Sequence, residues 1–452
     1  KAGVMTADGK YKFTPGYTVT ITGNSKHGAI ELERGVNEVV VDAKGSTLNL
    51  KNNSAAEMQK IYGLSNKRNE TKLNITAKDV NIDVTNTAAD GAAVGVNLQG
   101  KSRNTATELV INGNTTIFAQ VAKPDMMASA YGIYAKDNAK VTINGDLSMK
   151  RVGSEIWGVS NEGIAEYDKN TAYLNGAGIK VEAGYDAQKT GVVTVNGNVD
   201  LAVNGSGLVA QGKDGNITVN GGGNIEIKKN DANVHFAAVA QEGASINLNM
   251  NDGVAGDNAL NIKGNIGVIK APGSQGTSSV NVGLKGENSK LTGVAVNNYT
   301  DNNGQINMSV SDGATWENSQ YGALYANDYT YNGSKVNNFT GGKDEAHRGV
   351  ILQKDNKNLN IENYSGNTLV VYEHTGTGTE KGDYAQGNVI INHAAKGSNI
   401  TVATDNSNIN INDLYNVQTV LNNLANKLTY QAYVSGEKNL TGKVQISSGL
   451  TA

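Results

Sequence analysis

The chain has 452 residues, with 55 glycines, 62 asparagines, three prolines, no cysteine and a formal net charge of −3. That near-neutral balance, with no long run of either sign, does not indicate recognition of nucleic acid through a basic face, and no stretch approaches the ~18 consecutive apolar residues of a membrane-spanning helix. Without cysteine there are neither disulfides nor thiolate metal sites, and the regular apolar alternation argues against disorder. The opening KAGVMTADGK has no methionine start and no apolar signal core, so it reads as a processed or excised beginning, and export is neither supported nor excluded.

The first window of helical character is SAAEMQKIY, from Ser54 to Tyr62, where Ser54 and Glu57 have the spacing of a capping box. A short helix inserted between strands is expected there. From Gly95 to Ser102 the chain reads GVNLQGKS, a literal match to a phosphate-binding loop. Such a loop must feed a helix so that its backbone N–H groups converge on phosphate. Here Val94, Val96 and Leu98 alternate as in a strand, and the strand-like ELVING follows, so the match reads as chance.

A phrase then recurs. YGIYAKDNAKVTINGDLSMK begins at Tyr131, AGIKVEAGYDAQKTGVVTVNGNVDLAV at Ala177, SGLVAQGKDGNITVNGGGNIEI at Ser206, and a weaker copy, RGVILQKDNKNLNIENYSGNTLVV, at Arg348. The small residue near the start of each phrase falls at Gly95, Gly132, Gly158, Gly178, Gly207, Ala237, Gly267, Gly293, Gly322 and Gly349, at intervals of 20 to 37 residues. Periods in this range mark solenoids, propellers or arrays. Alternation such as Val141, Ile143 and Val193, Val195 is that of strands, helical spacing is nearly absent before Asn412, and each unit holds two or three short strands between polar corners. One turn of a parallel β-helix fits best. Asn112-Gly113, Asn144-Gly145, Asn196-Gly197 and Asn220-Gly221 each follow a strand at the same phase. Both residue types tolerate the left-handed backbone of sharp corners, and stacked asparagines can hydrogen-bond from coil to coil.

The distal third is richer in aromatics. WENSQYGALYANDYTYNG supplies Trp316, Tyr321, Tyr325, Tyr329 and Tyr331 as candidate ligand-binding residues, since a tyrosine face and hydroxyl suit sugar or protein contact. The alternative is that the tyrosines stack between coils and Trp316 packs the distal core. DEAH, at Asp344–His347, imitates a helicase box without its context, and the histidines (His27, His235, His347, His374, His393) are scattered without ligand spacing. Neither a G-x-S-x-G elbow nor an H-E-x-x-H motif occurs. No catalytic residue, metal or cofactor is therefore expected. Near the end, DLYNVQTVLNNLANKL places Leu414, Val417, Val420, Leu421, Leu424 and Leu428 at helical spacing behind Asp413, a suitable N-cap. LTYQAYV and KVQIS follow as an expected hairpin.

The stretches DGATWENS…SKVNNFTGG (Asp312–Gly342) and LNIENYSGNTLVV (Leu359–Val371) resemble the distal passenger of bacterial monomeric autotransporters of the AIDA type, and NLANKLTY and NLTGKVQISSGLTA are similar to passenger repeats near the translocator junction. The strongest likeness covers the last third of the chain. It implies a right-handed parallel β-helix exported through an outer-membrane β-barrel that lies outside this sequence. It also implies a cell-surface, extracellular adhesin that self-associates in aggregates or biofilm, or binds host or bacterial surface glycans or proteins. The resulting expectation is an all-β fold: a right-handed parallel β-helix of ~15 coils over residues 1–412, then a helix and hairpin cap over 413–452. The competing function is that of a β-helix enzyme acting on polysaccharides, a lyase or hydrolase with carboxylates assembled from different coils.

Overall fold

The computed structural model describes residues 3–67, 70–101, 105–122, 129–150, 159–160, 172–183, 189–271, 275–324, 330–373, 384, 386–405, 409–430, 433–434, 437–446 and 450–451. Among them the secondary structure is mostly β. Large sheets are built from strands that pair in parallel with partners one coil away, and one α-helix lies near the C-terminal end. The chain divides into two compact units. Residues 1–248, 269–280 and 322–329 form the first, and residues 249–268, 281–321 and 330–452 the second.

In the first unit, apolar alternation becomes a core through register. Val41, Ile75, Ile111, Ile143, Val195, Val219 and Leu248 pair in succession along parallel strands. All seven are buried, as a side-chain period of two demands when one face of each strand turns inward. A second parallel sheet runs through the strands Ile30–Leu32, Lys60–Asn66, Ala92–Gln99, Ala130–Lys136, Ala177–Glu182, Ser206–Gln211 and Ala238–Gln241.

The recurring small residue sits on this second sheet, and backbone proximity accounts for it. A Cβ added to Gly95 would stand 2.6 Å from the carbonyl oxygen of Gly132, one on Gly132 2.5 Å from that of Gly178, one on Gly178 2.8 Å from that of Gly207, and one on Gly207 2.4 Å from that of Ala237. No side chain fits where one coil's backbone lies so close to the next. The Asn-Gly corners obey the same limit. A Cβ on Gly145 would meet the oxygen of Gly113 at 2.3 Å, and one on Gly197 the oxygen of Gly145 at 2.2 Å. The period is less uniform than its spacing suggests. Gly158 lies outside the described residues, and Gly293 and Gly322 fall between strands.

In the second unit, Lys335–Thr340, Leu359–Ser365, Val389–Ala394 and Leu428–Tyr430 pair in parallel succession. So do Thr315–Asn318, Gly349–Gln353, Asn367–Tyr372, Ser398–Thr404 and Leu440–Ile446. The helix spans Leu414–Ala425, and the Asp413 side chain caps it by accepting from the N–H groups of Tyr415 and Asn416. Val417, Val420, Leu421 and Leu424 form its buried face, which packs on Ser398–Thr404 and Leu440–Ile446. Leu414 is exposed, and Leu428 belongs to the next strand.

Two local expectations are corrected. Ser54–Tyr62 is not helical: Glu38–Ser54 ends as a strand, the chain turns at Met58 with φ 55°, and Lys60–Asn66 begins the next strand. The amide of Asn86 takes both the N–H and the carbonyl of Ala56, at 3.1 Å each, and so holds the turn open where a helix would close it. Nor do LTYQAYV and KVQIS pair with each other. Among the described residues, Leu428–Tyr430 and Leu440–Ile446 each extend a parallel ladder; Tyr433–Val434 pairs antiparallel with Glu437–Lys438 of the connecting segment, and Leu440–Ile446 pairs antiparallel with Leu450–Thr451.

The glycine row generates a measurable expectation. Gly132→Ala should lower stability by about 1–3 kcal/mol in urea unfolding, because Cβ would overpack against a carbonyl that cannot move away. Gly9→Ala, where the nearest atom to a new Cβ is 3.6 Å away on the Tyr11 ring, should change it by at most about 0.5 kcal/mol. Equal unfolding midpoints for the two variants would dismiss the close-approach account.

Candidate functional site

The register that stacks apolar residues inside also stacks polar residues outside. In the first unit the Nδ2 of Asn112 donates to Asn74 Oδ1 at 3.1 Å, Asn144 to Asn112 at 2.9 Å, Asn196 to Asn144 at 2.7 Å and Asn220 to Asn196 at 2.7 Å. The coil-to-coil asparagine bonding expected from the sequence is present at these corners. The asparagines are there for this bond and not for a left-handed backbone: positive φ falls on Gly113 and Gly145 instead.

A second row crosses the second unit. Asn307 donates to Asn281 at 2.8 Å, Asn338 to Asn307 at 2.8 Å and Asn363 to Asn338 at 3.2 Å. His393 occupies the next register position beside Asn363 and lies 3.5 Å from Glu362. Beside this row is a cavity of about 330 Å³ bounded by Asn338, Phe339, Asn363, Tyr364, Ser365 and His393. An amide carries two N–H donors and an oxygen with two lone pairs, and the ladder bonds of Asn307 and Asn363 each use one N–H. Polar groups of fixed spacing beside an apolar floor are what a small polar ligand requires.

Of the five aromatic candidates, the three that are described do not share one surface. Trp316 is fully buried, its Nε1 donating to the Gly293 carbonyl at 2.9 Å. Its ring stacks on Phe339, which stacks on Tyr364, with centroids 6.3 and 6.0 Å apart. Alternation puts it there: Thr315 and Glu317 are partly exposed, and Trp316 points inward. As a surface ligand residue Trp316 is thus corrected to a core residue. Tyr321 is partly exposed and tied by its backbone to Asn265, its N–H donating to Oδ1 at 3.0 Å and its carbonyl accepting from Nδ2 at 2.9 Å. The Tyr331 hydroxyl donates to the buried Asp355 carboxylate, and burial together with that acceptor pushes its pKa well up. Tyr325 and Tyr329 lie outside the described residues.

Two titratable groupings were not apparent from the sequence. His27, Glu31 and Glu33 bring their ligand atoms within 4.8 Å of one another, with Glu31 buried and bonded to His27 Nδ1 at 2.6 Å. The larger group is Lys60, Lys136, Lys180, Glu182, Tyr131 and Tyr134, on the outer face of the second sheet of the first unit. Lys180 is only 5% exposed. Its Nζ donates to the Leu174 carbonyl at 2.6 Å and lies 3.3 Å from Glu182. Burial, then the charges of Lys60 and Lys136, hold Lys180 down at about 7, while burial raises Glu182 to about 7. The first five residues of the phosphate-loop lookalike lie in the strand Ala92–Gln99, not in a turn that feeds a helix, and Glu345–His347 of DEAH forms one 3-10 turn at the surface, capped by Asp344.

The aromatic stack gives a stability test. Trp316→Ala should cost about 3–5 kcal/mol in chemical denaturation, the range for truncating a large buried aromatic. A loss below about 1 kcal/mol, the level of a surface change, would count against a core role. Compared with protein-family models, curated proteins and solved structures, the chain matches none.

Proposed function

We propose that this chain is the passenger of a bacterial monomeric autotransporter and acts as a cell-surface adhesin, binding rather than catalysing. The observation that carries the reading is the outward row Asn307, Asn338, Asn363 and His393, in register from coil to coil beside a cavity. Strands repeat at about 4.8 Å, so the row offers amide donors and acceptors at constant spacing. A polymer of hydroxyl groups, or the same row on a neighbouring cell, can meet many of them at once. Each hydrogen bond contributes only about 0.5–1.5 kcal/mol, and linkage along one face multiplies the weak contacts.

The finer architecture belongs to the same reading: a right-handed parallel β-helix of ~15 coils, since parallel crossovers are right-handed in about 98% of cases. The likeness of the distal segments to autotransporter passengers supports placing it outside the cell, held by a C-terminal translocator barrel. Its partners would be surface glycans or proteins, or itself.

Cells displaying the chain should clump, or bind a glycan array, and Asn363→Ala alone should weaken this only slightly. The combined Asn307→Ala, Asn338→Ala and Asn363→Ala variant should lose most of it while retaining its circular dichroism spectrum. A folded triple variant that clumps and binds as before would remove the asparagine row from the proposal.

A further inference from the structure

A separate feature in the first unit carries an inference that does not depend on adhesion by the asparagine row. The Nζ atoms of Lys60, Lys136 and Lys180 lie 5.5, 5.8 and 5.9 Å from the ring centroid of one tyrosine, Tyr134. They come from three strands, Lys60–Asn66, Ala130–Lys136 and Ala177–Glu182, the last two directly paired. Among the described residues, one carboxylate reaches ion-pair distance of this trio. Glu182 is 3.7 Å from Lys136 and 3.3 Å from Lys180, and it also accepts the Tyr134 hydroxyl.

Three ammonium groups around one ring repel one another. All three stand within 5.9 Å of one ring centre, and Lys136 and Lys180 share the Glu182 carboxylate, separations comparable to the roughly 10 Å screening length at 0.1 M salt. Partial burial strengthens the repulsion further. Electron-rich ring faces relieve part of it, Tyr134 for all three lysines and Tyr131 for Lys180 at 5.8 Å. Glu182 relieves another part but is shared between two lysines and a hydroxyl. Lys60 is exposed and Lys136 is partly so, while Lys180 is sealed beneath. The positive charge therefore opens outward.

The geometry points to an oxyanion-binding site on this face, with Lys60 and Lys136 gripping a carboxylate or sulfate group of an acidic polymer and Lys180 adding charge from below. Protonation reinforces it from both sides. Lys180, lowered to about 7, gains its proton as pH falls through neutrality, and Glu182, raised to about 7, loses its negative charge over the same interval. The groups facing Lys180 are Lys60, Lys136, Tyr131, Tyr134, Glu182 and Glu242, and of these Glu242 opposes the shift in Lys180. Anion affinity should thus rise from pH 8 to pH 6.

Calorimetric titration of the full chain with a hexuronic-acid oligosaccharide and, separately, with inorganic sulfate tests this at both pH values. Binding of either probe, tighter at pH 6, is expected, and the stronger of the two identifies the oxyanion. Lys60→Met and Lys136→Met should each weaken binding by about tenfold, the loss of one charge-assisted contact. Glu182→Gln should tighten it and flatten its pH dependence, because the competing carboxylate is gone. Lys60 is at the exposed rim, so its variant reports on binding even if a change at Glu182 disturbs folding, which thermal melting would reveal. Absence of binding by both probes at pH 6, or binding indifferent to Lys60→Met and Lys136→Met, would overturn the proposal and leave the cluster a structural ion-pair network.

Discussion

The backbone groups of each strand find their partners in the coils before and after, residue against residue. In-register parallel pairing is the constraint from which the other features descend, because it copies the chemistry of one position into a column. An apolar position becomes a continuous core, as from Val41 through Ile143 to Leu248. A position too tight for a side chain becomes a row of glycines, and an exposed amide becomes a ladder. No residue in such a column can be judged alone: Gly132 is restricted by Gly178, and Asn144 is held by Asn112 and Asn196.

Columns of amides and columns of charge behave differently under this constraint. An asparagine is donor and acceptor at once, so a stack of them satisfies itself. A stack of lysines cannot. Where charges do fall in register they alternate in sign: Glu38 pairs with Lys72, Lys72 with Glu108, and Glu108 with Lys140. The group around Tyr134 departs from that pattern, with cations outnumbering the carboxylate they share, and this is why it stands out as chemistry beyond folding.

Much of the architecture was legible in the sequence because period-two alternation and a recurring small residue are direct images of the column. The helix at Leu414–Ala425 was legible for the complementary reason, since its apolar spacing and the Asp413 cap are local signals. Ser54–Tyr62 misled because Ser54 and Glu57 have the spacing of a helix start, while the interaction that decides, the Asn86 amide on Ala56, comes from 30 residues away. Trp316 misled because neighbours in sequence need not share a face: strand alternation turns it inward between the partly exposed Thr315 and Glu317. The lysine cluster was not legible at all: Lys136 and Glu182 are paired across coils although 46 positions apart in the chain, more than the usual repeat, so no linear spacing announces them.

The Asn-Gly corners have a further consequence, for the covalent lifetime of the chain. This dipeptide is the one most prone to imide formation, in which the glycine nitrogen attacks the asparagine side-chain carbonyl, ammonia leaves, and water opens the ring to isoaspartate or aspartate. In the first unit that nitrogen is already engaged, Gly197 donating to Gly145 at 3.0 Å and Gly221 to Gly197 at 3.2 Å, while the side chains are pinned to their neighbours. Attack requires both bonds to break, so the ladder slows its own deamidation. The protection is collective. A carboxylate formed at Asn196 would accept but no longer donate, leaving Asn144 tied only by its own donation to Asn112, and a second one next to it would set like charges face to face. Chemical ageing at one corner therefore loosens the next, and damage in this chain would spread by coils rather than residue by residue.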